Sequence, residues 1–448
     1  MKKFIALVAL AVGLTGSAEA KSLRSSLIPG SLAGNDVITG ALQPLAGAIG
    51  SQVANQIPAL STSAGYTYKW NPELEVLERS AKTFGPLFSE RAVTLGRNKF
   101  NLNASYTYIK FNEFNGKNLD KLVNQVETAY VPETGTTEYF GLFRPYNDAD
   151  GVERQAGDRV MLDLDLEAML FDFSFTYGVL DNLDVNIDIP VIRTYLRSSV
   201  QQTLPDPRCV GIGNVGCDNA LDLGGPNVVD GRGGFFVFPP ESSRDDSLGI
   251  GDIHLRTKYA APFTVPFRMA GLLDLALPTG DAADFQGTGD TRLATILIGS
   301  RDIGSMFEIH SQGGVDFNIN DVDRSQARYA FGVTGQVASF MAVTVDFLGR
   351  SEFGAQGRIK NTGRLPAVRE IDGVDTLTQP LAELNQNENF KGRPIFVDIK
   401  RNDVLDLAVG ARFAIGERSL ILANFLVPLN EDGLRAEFIP TIAVETNF

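Results

Sequence analysis

Apolar and polar residues alternate along most of the chain, most clearly in its last stretch. From Glu437 onward one parity carries Phe438, Pro440, Ile442, Val444, Thr446 and Phe448, and the other carries Glu437, Thr441, Glu445 and Asn447. A period of two residues is that of a β-strand with one apolar and one polar face. The chain is therefore predicted to end in a strand whose last residue is aromatic.

Alternation of this kind recurs from Lys99 onward and predicts twelve strands. They begin near Lys99, Arg159, Leu183, Leu248, Phe267, Thr291, Met306, Ala327, Met341, Phe396, Arg418 and Leu434. Short turns such as Leu180 to Asn182 alternate with long polar loops such as Asn112 to Asp158. Outer-membrane barrels have short turns at one rim and long loops at the other. The pattern predicts an all-β fold, a transmembrane antiparallel β-barrel of about twelve strands.

Charged residues share one parity within these strands. That parity would face water in a soluble sandwich and the lumen in a barrel, and alternation alone does not separate the two. Because both signs occur, the residues are expected either to pair across a narrow interior or to line a polar path. The candidate lumen-lining residues are Asp184, Asp188, Asp252, His254, Arg256, Lys258, Glu308, His310, Asp316, Asp346, Arg350, Asp398, Lys400, Asp406 and Arg412.

The second predicted strand changes parity along its length. Leu162, Leu164 and Leu166 occupy one register, whereas Phe171, Phe173, Phe175 and Tyr177 occupy the other. One extra residue in a strand reverses which face its side chains take. The sequence therefore predicts a β-bulge near Met169.

The segment before the strands divides into two parts. Residues 1–20 have Lys2 and Lys3, an apolar run and Ala18-Glu19-Ala20, and predict a secretory signal peptide. In residues 21–98, an interval of four predicts one amphipathic helix, and Asn71-Pro72 predicts the start of a second. The positions of the first helix are Ala41, Leu45, Ile49, Val53 and Ile57. Residues 21–98 are interpreted as a helical plug of the lumen or a periplasmic segment, and a loosely held leader is the alternative. Residues 99–448 would form the barrel.

Composition adds few constraints. The net charge of −14 argues against nucleic acid as a partner. Export favours a disulfide between Cys209 and Cys217. The two histidines, His254 and His310, lie far from these cysteines, which argues against zinc. Asn147, Asp148, Asp150 and Gly151 resemble half of a calcium loop without its terminal Glu, so no metal or other cofactor is expected.

Several short motifs, in order, resemble those of a known family. They are Tyr177 to Asp184 followed by Ile189-Pro190, Gly249 to Asp252, Leu277 to Asp281, and Val427 to Asn430 with Gly433-Leu434-Arg435. The chain from Lys99 to Phe448 resembles the outer-membrane transporter family named after the meta-cleavage pathway of phenol degradation. The resemblance implies a barrel that admits small, often aromatic or otherwise hydrophobic compounds. All of these motifs also have a local explanation as turns and strand ends.

The sequence thus predicts a channel in the outer membrane of a Gram-negative bacterium that takes up small hydrophobic or aromatic compounds passively. The alternative is a structural or adhesive barrel whose long loops bind a partner; an autotransporter is disfavoured because the leader is too short for a passenger. An enzyme is not expected, because both histidines lie on the lumen parity and no Gly-x-Ser-x-Gly elbow is present. The expected partners are the permeant, outer-membrane lipid with lipopolysaccharide, and the barrel-assembly machinery, which would read Phe438, Ile442, Val444 and Phe448 as an insertion signal.

Overall fold

The computed structural model describes most of the predicted barrel and parts of the segment before it. The described residues are 22–27, 29, 49–50, 52–53, 61–62, 68–71, 76–79, 83–86, 88–125, 143–147, 153–157, 159–205, 227–229, 234–237, 240–262, 267–354, 356–359, 368–371, 374–377, 397–400, 402–416 and 418–448. The predicted signal peptide and both cysteines lie outside them, so the cleavage site and the disulfide stay predictions. No helix among these residues is long and apolar enough to cross a membrane.

Twelve antiparallel strands close into a barrel, which confirms the predicted fold. Each strand pairs with the next, and the last pairs with the first, with Thr441 opposite Thr107. The strands are β1 (Phe100–Phe114), β2 (Arg159–Leu180), β3 (Leu183–Pro205), β4 (Glu241–Ile250 continued by Ile253–Ala260), β5 (Arg268–Leu277), β6 (Arg292–Ile303), β7 (Phe307–Asn318), β8 (Gln326–Ala338), β9 (Met341–Glu352), β10 (Asp403–Ile415), β11 (Ser419–Pro428) and β12 (Leu434–Ala436 continued by Ile439–Asn447).

The bulge predicted near Met169 is wrong. β2 pairs with β3 without interruption from Arg159 to Gly178, and the shift in their register lies between Gly178 and Leu180. Leu162, Leu164 and Leu166 are buried on the same inner face as Asp172, Ser174 and Thr176. The inner face itself changes from apolar to polar, and the outer face changes in the opposite sense. The same side chains face inward along the whole of β2, and the change in polarity of each face produces the sequence pattern that a bulge would give.

The tenth strand begins later than predicted. Val397–Lys400, which carries Asp398 and Lys400, pairs with Gln356–Ile359 in a separate two-stranded sheet. Asp398 and Lys400 therefore lie before the start of the tenth wall strand, and that they line the lumen stays a prediction. Asp398 and Lys400 alternate with Val397 and Ile399, as residues do in any β-strand. This alternation predicts a strand but not the strand with which it pairs.

The predicted second helix is also wrong. Tyr68–Asn71 and Val76–Arg79 form an antiparallel pair with Trp70 opposite Leu77. Asn and Pro favour turns as well as helix starts, and here strand pairing prevails. A one-turn helix that the sequence did not predict, α1, spans Leu23–Ser26 behind the cap Ser22.

Short elements decorate the loops. Among the residues that the structure describes, three 3₁₀ turns occupy Leu119–Lys121, Ala282–Asp284 and Val322–Arg324. Short strands lie at Lys117–Asn118, Leu122–Gln125, Phe143–Asn147, Glu153–Gly157, Asn227–Val229, Gly234–Val237, Val368–Ile371 and Val374–Leu377. β2 and β3, with 22 and 23 residues, are about twice the length of a membrane strand. Asn227–Val229 and Gly234–Val237 form a hairpin, and its second strand pairs with the last residues of β3. This hairpin therefore extends the wall at the long-loop rim.

The barrel interior has two zones on the neighbouring strands β12, β1, β2 and β3. Toward the long-loop rim it is mainly apolar, with Leu434, Ile439, Ile109, Phe111, Leu162, Leu164, Leu166, Leu196 and Val200 buried. Toward the short-turn rim it is mainly polar, with Thr441, Glu445, Asn101, Asn103, Asp172, Ser174, Asp184, Asn186 and Asp188 buried. The apolar zone forms the largest hydrophobic cluster together with residues from the segment before β1.

Candidate functional site

The lumen contains described parts of the segment that precedes β1, hereafter the inner segment (the described residues 22–27, 49–50, 52–53, 83–86 and 88–96). At the long-loop end, Leu23 and Leu27 are buried. The amide of Leu23 donates to Asp284 Oδ1 at 3.0 Å, and Ser26 Oγ donates to Asp245 Oδ2 at 2.8 Å. Ser198 Oγ on β3 donates to the carbonyl of Leu27 at 2.6 Å. The inner segment is thus hydrogen-bonded to the wall near this rim.

Further along the inner segment, Ile49 and Val53 have helical backbone and are fully buried. Gly50 faces the ring of Phe285, since a Cβ at Gly50 would lie 2.6 Å from that ring. Gln52 Oε1 accepts from the amide of Leu434 at 2.5 Å. This part of the inner segment therefore packs on both a loop, through Gly50, and a wall strand, through Gln52. The other helix positions of the prediction, Ala41, Leu45 and Ile57, lie outside the described residues.

Ion pairs hold the inner segment in the short-turn half. Glu90 contacts Lys258 at 3.2 Å, and Arg91 contacts Glu308 at 3.5 Å, with all four side chains buried. Glu90 also accepts from the amide and hydroxyl of Thr62 at 2.6 and 3.0 Å. Because a charge without a counter-charge is strongly disfavoured in a dry interior, these pairs fix where residues 90 and 91 can lie.

Wall side chains also bind the backbone of the inner segment. Asp184 Oδ2 accepts from the amide of Leu95 at 2.9 Å, and Ser300 Oγ accepts from the amide of Ala92 at 3.2 Å. Arg412 donates to the carbonyls of Phe84 and Pro86 and pairs with Glu445 at 3.1 Å. Buried backbone groups outside helices and strands need such partners. The polar lining of this half therefore bonds to the inner segment.

The predicted lumen residues fall into three groups. Buried inside the barrel are Asp184, Asp188, Arg256, Lys258, Glu308, His310, Asp316, Asp346 and Arg412. Half-buried are Asp252, His254, Arg350 and Asp406. Asp398 and Lys400 are the two that lie off the wall strands. Several members of the first two groups pair with a group of opposite charge. Asp316 contacts Arg292 at 3.1 Å, and Asp406 contacts Arg435. His310 contacts Asp346 at 2.6 Å.

Asp252 has a role that its alternation did not indicate. Its carboxylate accepts from the amide of Gly280 at 3.1 Å and from the amide and hydroxyl of Thr288, both at 2.8 Å. It therefore holds the loop between β5 and β6 rather than lining an open path.

Sequence reasoning missed several interior ions. Asp172, Asp274, Arg292, Arg435 and Glu445 are buried on the inner face of wall strands. The signal for Asp274 and Arg292 was present, because they share the parity of inward-facing neighbours on β5 and β6. Asp172 was obscured by the assumed bulge. The partners Glu90 and Arg91 carried no periodic signal, because they lie outside regular structure.

A cavity of about 80 Å³ lies beside these ions, between the inner face of β2 to β8 and the loop that joins β5 to β6. Asp172, Asp188 and His254 contribute polar lining, and Leu170 and Ile192 contribute apolar lining. His254 Nδ1 contacts Asp274 at 2.8 Å, and Arg256 contacts Asp188 at 3.0 Å. No group of three or more His, Cys, Asp or Glu side chains suited to a metal ion occurs among the described residues.

The outer surface carries exposed apolar side chains on every side of the barrel. Examples are Phe173 on β2, Leu273 on β5, Leu297 on β6, Phe331 on β8 and Phe425 on β11, each at least half exposed. Near the short-turn rim, the ring of Phe100 lies 6.0 Å from that of Tyr177 and 6.1 Å from that of Phe448. An apolar band with aromatic residues at its border is the outer surface of a membrane barrel. Phe438, Ile442, Val444 and Phe448 of the predicted insertion signal all face outward.

Comparisons with known proteins give weak similarity. No protein-family model matches the chain, and no curated protein matches it. An outer membrane channel from Pseudomonas putida F1 is similar at 11% identity and a TM-score of 0.41, covering 80% of this chain and 98% of that one. The P. putida toluene transporter TodX is similar at 8% identity and a TM-score of 0.30, covering 79% of this chain and 90% of that one. A Pseudomonas aeruginosa FadL homologue is similar at 9% identity and a TM-score of 0.27, covering 78% of this chain and 89% of that one. Such low values carry no argument about function, and the family resemblance stays a prediction.

Proposed function

We propose that the protein is a channel in the outer membrane of a Gram-negative bacterium, through which small hydrophobic or aromatic compounds pass down their gradient. A closed barrel leaves no unpaired strand edge, and its apolar band with aromatic residues at one border suits a bilayer. The alternation of short turns and long loops supports an orientation with the long loops outside. The proposed location agrees with the predicted signal peptide.

The observation that carries the proposed substrate class is the apolar interior near the long-loop rim. Water-filled porins have a polar interior. Here Leu164 and Leu166 on β2 and Leu196 on β3 face inward where a solute from outside would enter. The side chains of Leu23, Leu27, Ile49 and Val53 occupy this zone and belong to the same hydrophobic cluster. We propose that a hydrophobic solute replaces these contacts when the inner segment moves.

The test is uptake of an uncharged aromatic dye by cells whose outer membrane contains lipopolysaccharide, since plain lipid vesicles pass such dyes unaided. Cells that express the full chain are expected to take up the dye severalfold faster than cells without it. Leu166→Gln should remove most of this gain, because it places an amide on the apolar lining. Glu167→Gln, which points outward on the same strand, should retain the gain.

A structural or adhesive barrel is the second candidate, and one observation favours it. The described lumen is occupied by the inner segment and by buried ion pairs, as a permanently closed barrel would be. Equal dye entry with and without the chain, at equal amounts of folded barrel on unheated gels, would contradict the channel and support this reading. The search would then turn to partners of the long loops.

A further inference from the structure

The cavity between β2 to β8 and the β5–β6 loop is rich in carboxylates. Asp172, Asp188, Asp252, Asp274 and Asp316 line it. Arg292 and Arg328 line it as well, and Arg256 contacts Asp188 and Asp274 at 3.0 and 3.4 Å. Five carboxyl groups thus face three arginines, so acidic side chains outnumber basic ones in the cavity region.

Two of these carboxylates have unsatisfied oxygens. Oδ1 of Asp172 and Oδ1 of Asp188 are buried and accept no hydrogen bond from an N–H group or a hydroxyl among the described residues, and the two carboxyl groups lie close enough to share a proton or to hold a cation between them. The side chains of Asp172 and Asp188 are only 2% and 3% exposed. Asp172 lies opposite Pro190 and Asp188 lies opposite Ser174, so the two aspartates are diagonal neighbours on the inner face of β2 and β3. Buried carboxylate oxygens strongly favour a donor or a cation nearby.

The other carboxylates are already engaged. Asp252 accepts three hydrogen bonds from the β5–β6 loop. Asp274 contacts His254 and Arg256, and Asp316 contacts Arg292 and accepts from Gln326. Asp188 has one oxygen on Arg256. The unsatisfied acceptor capacity of the cavity is therefore concentrated at Asp172 and at the second oxygen of Asp188.

We propose that this cavity binds a small primary ammonium ion, with its nitrogen between Asp172 and Asp188. An ammonium group supplies both the positive charge and the N–H donors that these oxygens lack. The apolar wall formed by Leu170, Ile192 and Ala276 suits a short alkyl group attached to that nitrogen. A bare metal ion fits less well, because it would need more oxygen ligands than two carboxylates and an apolar wall provide. The site does not depend on the proposed transport.

The test is calorimetric titration of the purified full-length protein with ethylammonium chloride at constant ionic strength. Saturable binding at one site per chain is expected. Tetraethylammonium, which has the charge but no N–H donor, and sodium should bind at least about tenfold more weakly, as expected when charge-assisted hydrogen bonds are missing. Equal binding of either ion would overturn the proposal, as would no binding of ethylammonium.

Two variants locate the site. Asp172→Asn should weaken ethylammonium binding about tenfold or more, because it removes one of the two carboxylates that would hold the ammonium nitrogen while the Asp188 to Arg256 pair stays intact. Asp163→Asn, on the exposed outer face of the same strand, is the matched control and should bind as the unchanged protein does. Unheated gels and circular dichroism would establish that both variants are folded. Unchanged binding by folded Asp172→Asn would contradict the assignment.

Discussion

At the scale of single residues, the close fit between wall and inner segment depends on Gly178. The amide of Gly178 donates to the carbonyl of Lys99, and its carbonyl accepts from the amide of Asn98, both at 2.8 Å. A Cβ at this position would lie 1.9 Å from the carbonyl oxygen of Gly96. Backbone meets backbone here, so no side-chain rotation could relieve the overlap. The glycine lets the chain leave the lumen directly against the wall and enter β1.

Gly178→Ala is therefore expected to lower the free energy of unfolding by about 1–3 kcal/mol, the usual cost of overpacking. The measurement is denaturant unfolding of the protein in lipid vesicles. Gly271→Ala on β5 is the control, because a Cβ there has no atom within 4 Å. It should change stability by less than about 0.5 kcal/mol. Equal effects of the two substitutions would show that residues 96–99 do not lie as described.

At the scale of elements, the β5–β6 loop connects the wall to the inner segment. Asp281 caps its 3₁₀ turn by accepting from the amide of Ala283 at 2.8 Å. Phe285 follows in the left-handed region at φ 61° and is fully buried against Gly50. Asp284 accepts from the amide of Leu23 and from the hydroxyl of Ser247. The loop thus turns into the barrel and contacts two parts of the inner segment.

Asp252 fixes this loop, and its substitution should loosen it. In Asp252→Asn, one carboxylate oxygen is replaced by a donor group, and the amides of Gly280 and Thr288 lose a charged acceptor. Their hydrogen exchange should become roughly tenfold faster, which corresponds to a charged hydrogen bond of ordinary strength. Asp321→Asn, which makes the same chemical change at a cap in the β7–β8 loop, should leave these two amides unchanged. Exchange at the original rate in Asp252→Asn would refute this role.

At the scale of the whole molecule, the inner segment is bound near both rims. Ser26 and Leu27 contact Asp245 and Ser198 in the long-loop half, and Leu95 contacts Asp184 in the short-turn half. The inner segment therefore occupies both halves of the described lumen. If the protein is a channel, at least one set of these contacts must open during transport.

A covalent link at the long-loop end tests whether the inner segment moves. The side-chain oxygens of Ser26 and Asp245 are 2.8 Å apart, so cysteines at both positions lie within reach of a short methanethiosulfonate cross-linker that a reductant cleaves. In the Ser26→Cys, Asp245→Cys double variant, cross-linking is expected to reduce dye uptake to the level of cells without the protein, and reduction should restore it. Each single variant is a control, and mass spectrometry would establish that Cys209 and Cys217 have not joined the new link. Undiminished uptake in the cross-linked double variant would show that this contact need not open.

The sequence alone determined the barrel, because strand alternation and turn length are local properties. It indicated twelve strands, the inward parity of Asp184, Arg256 and Glu308, and the outward parity of Ile442 and Val444. The tertiary structure decided which strands pair and in which register, and alternation does not contain this information. A change of interior polarity along β2 looks like a bulge in sequence, and only strand pairing shows that parity is constant.

Likewise, the partners of the inward charges are distant in sequence and lie outside regular structure. Glu90 is 168 positions from Lys258, and Arg91 is 217 positions from Glu308. No periodicity could link these residues, because their contact depends on the path of the inner segment through the closed barrel. The sequence thus set which side chains face inward, and the tertiary structure decided which inner-segment groups and loops they bind.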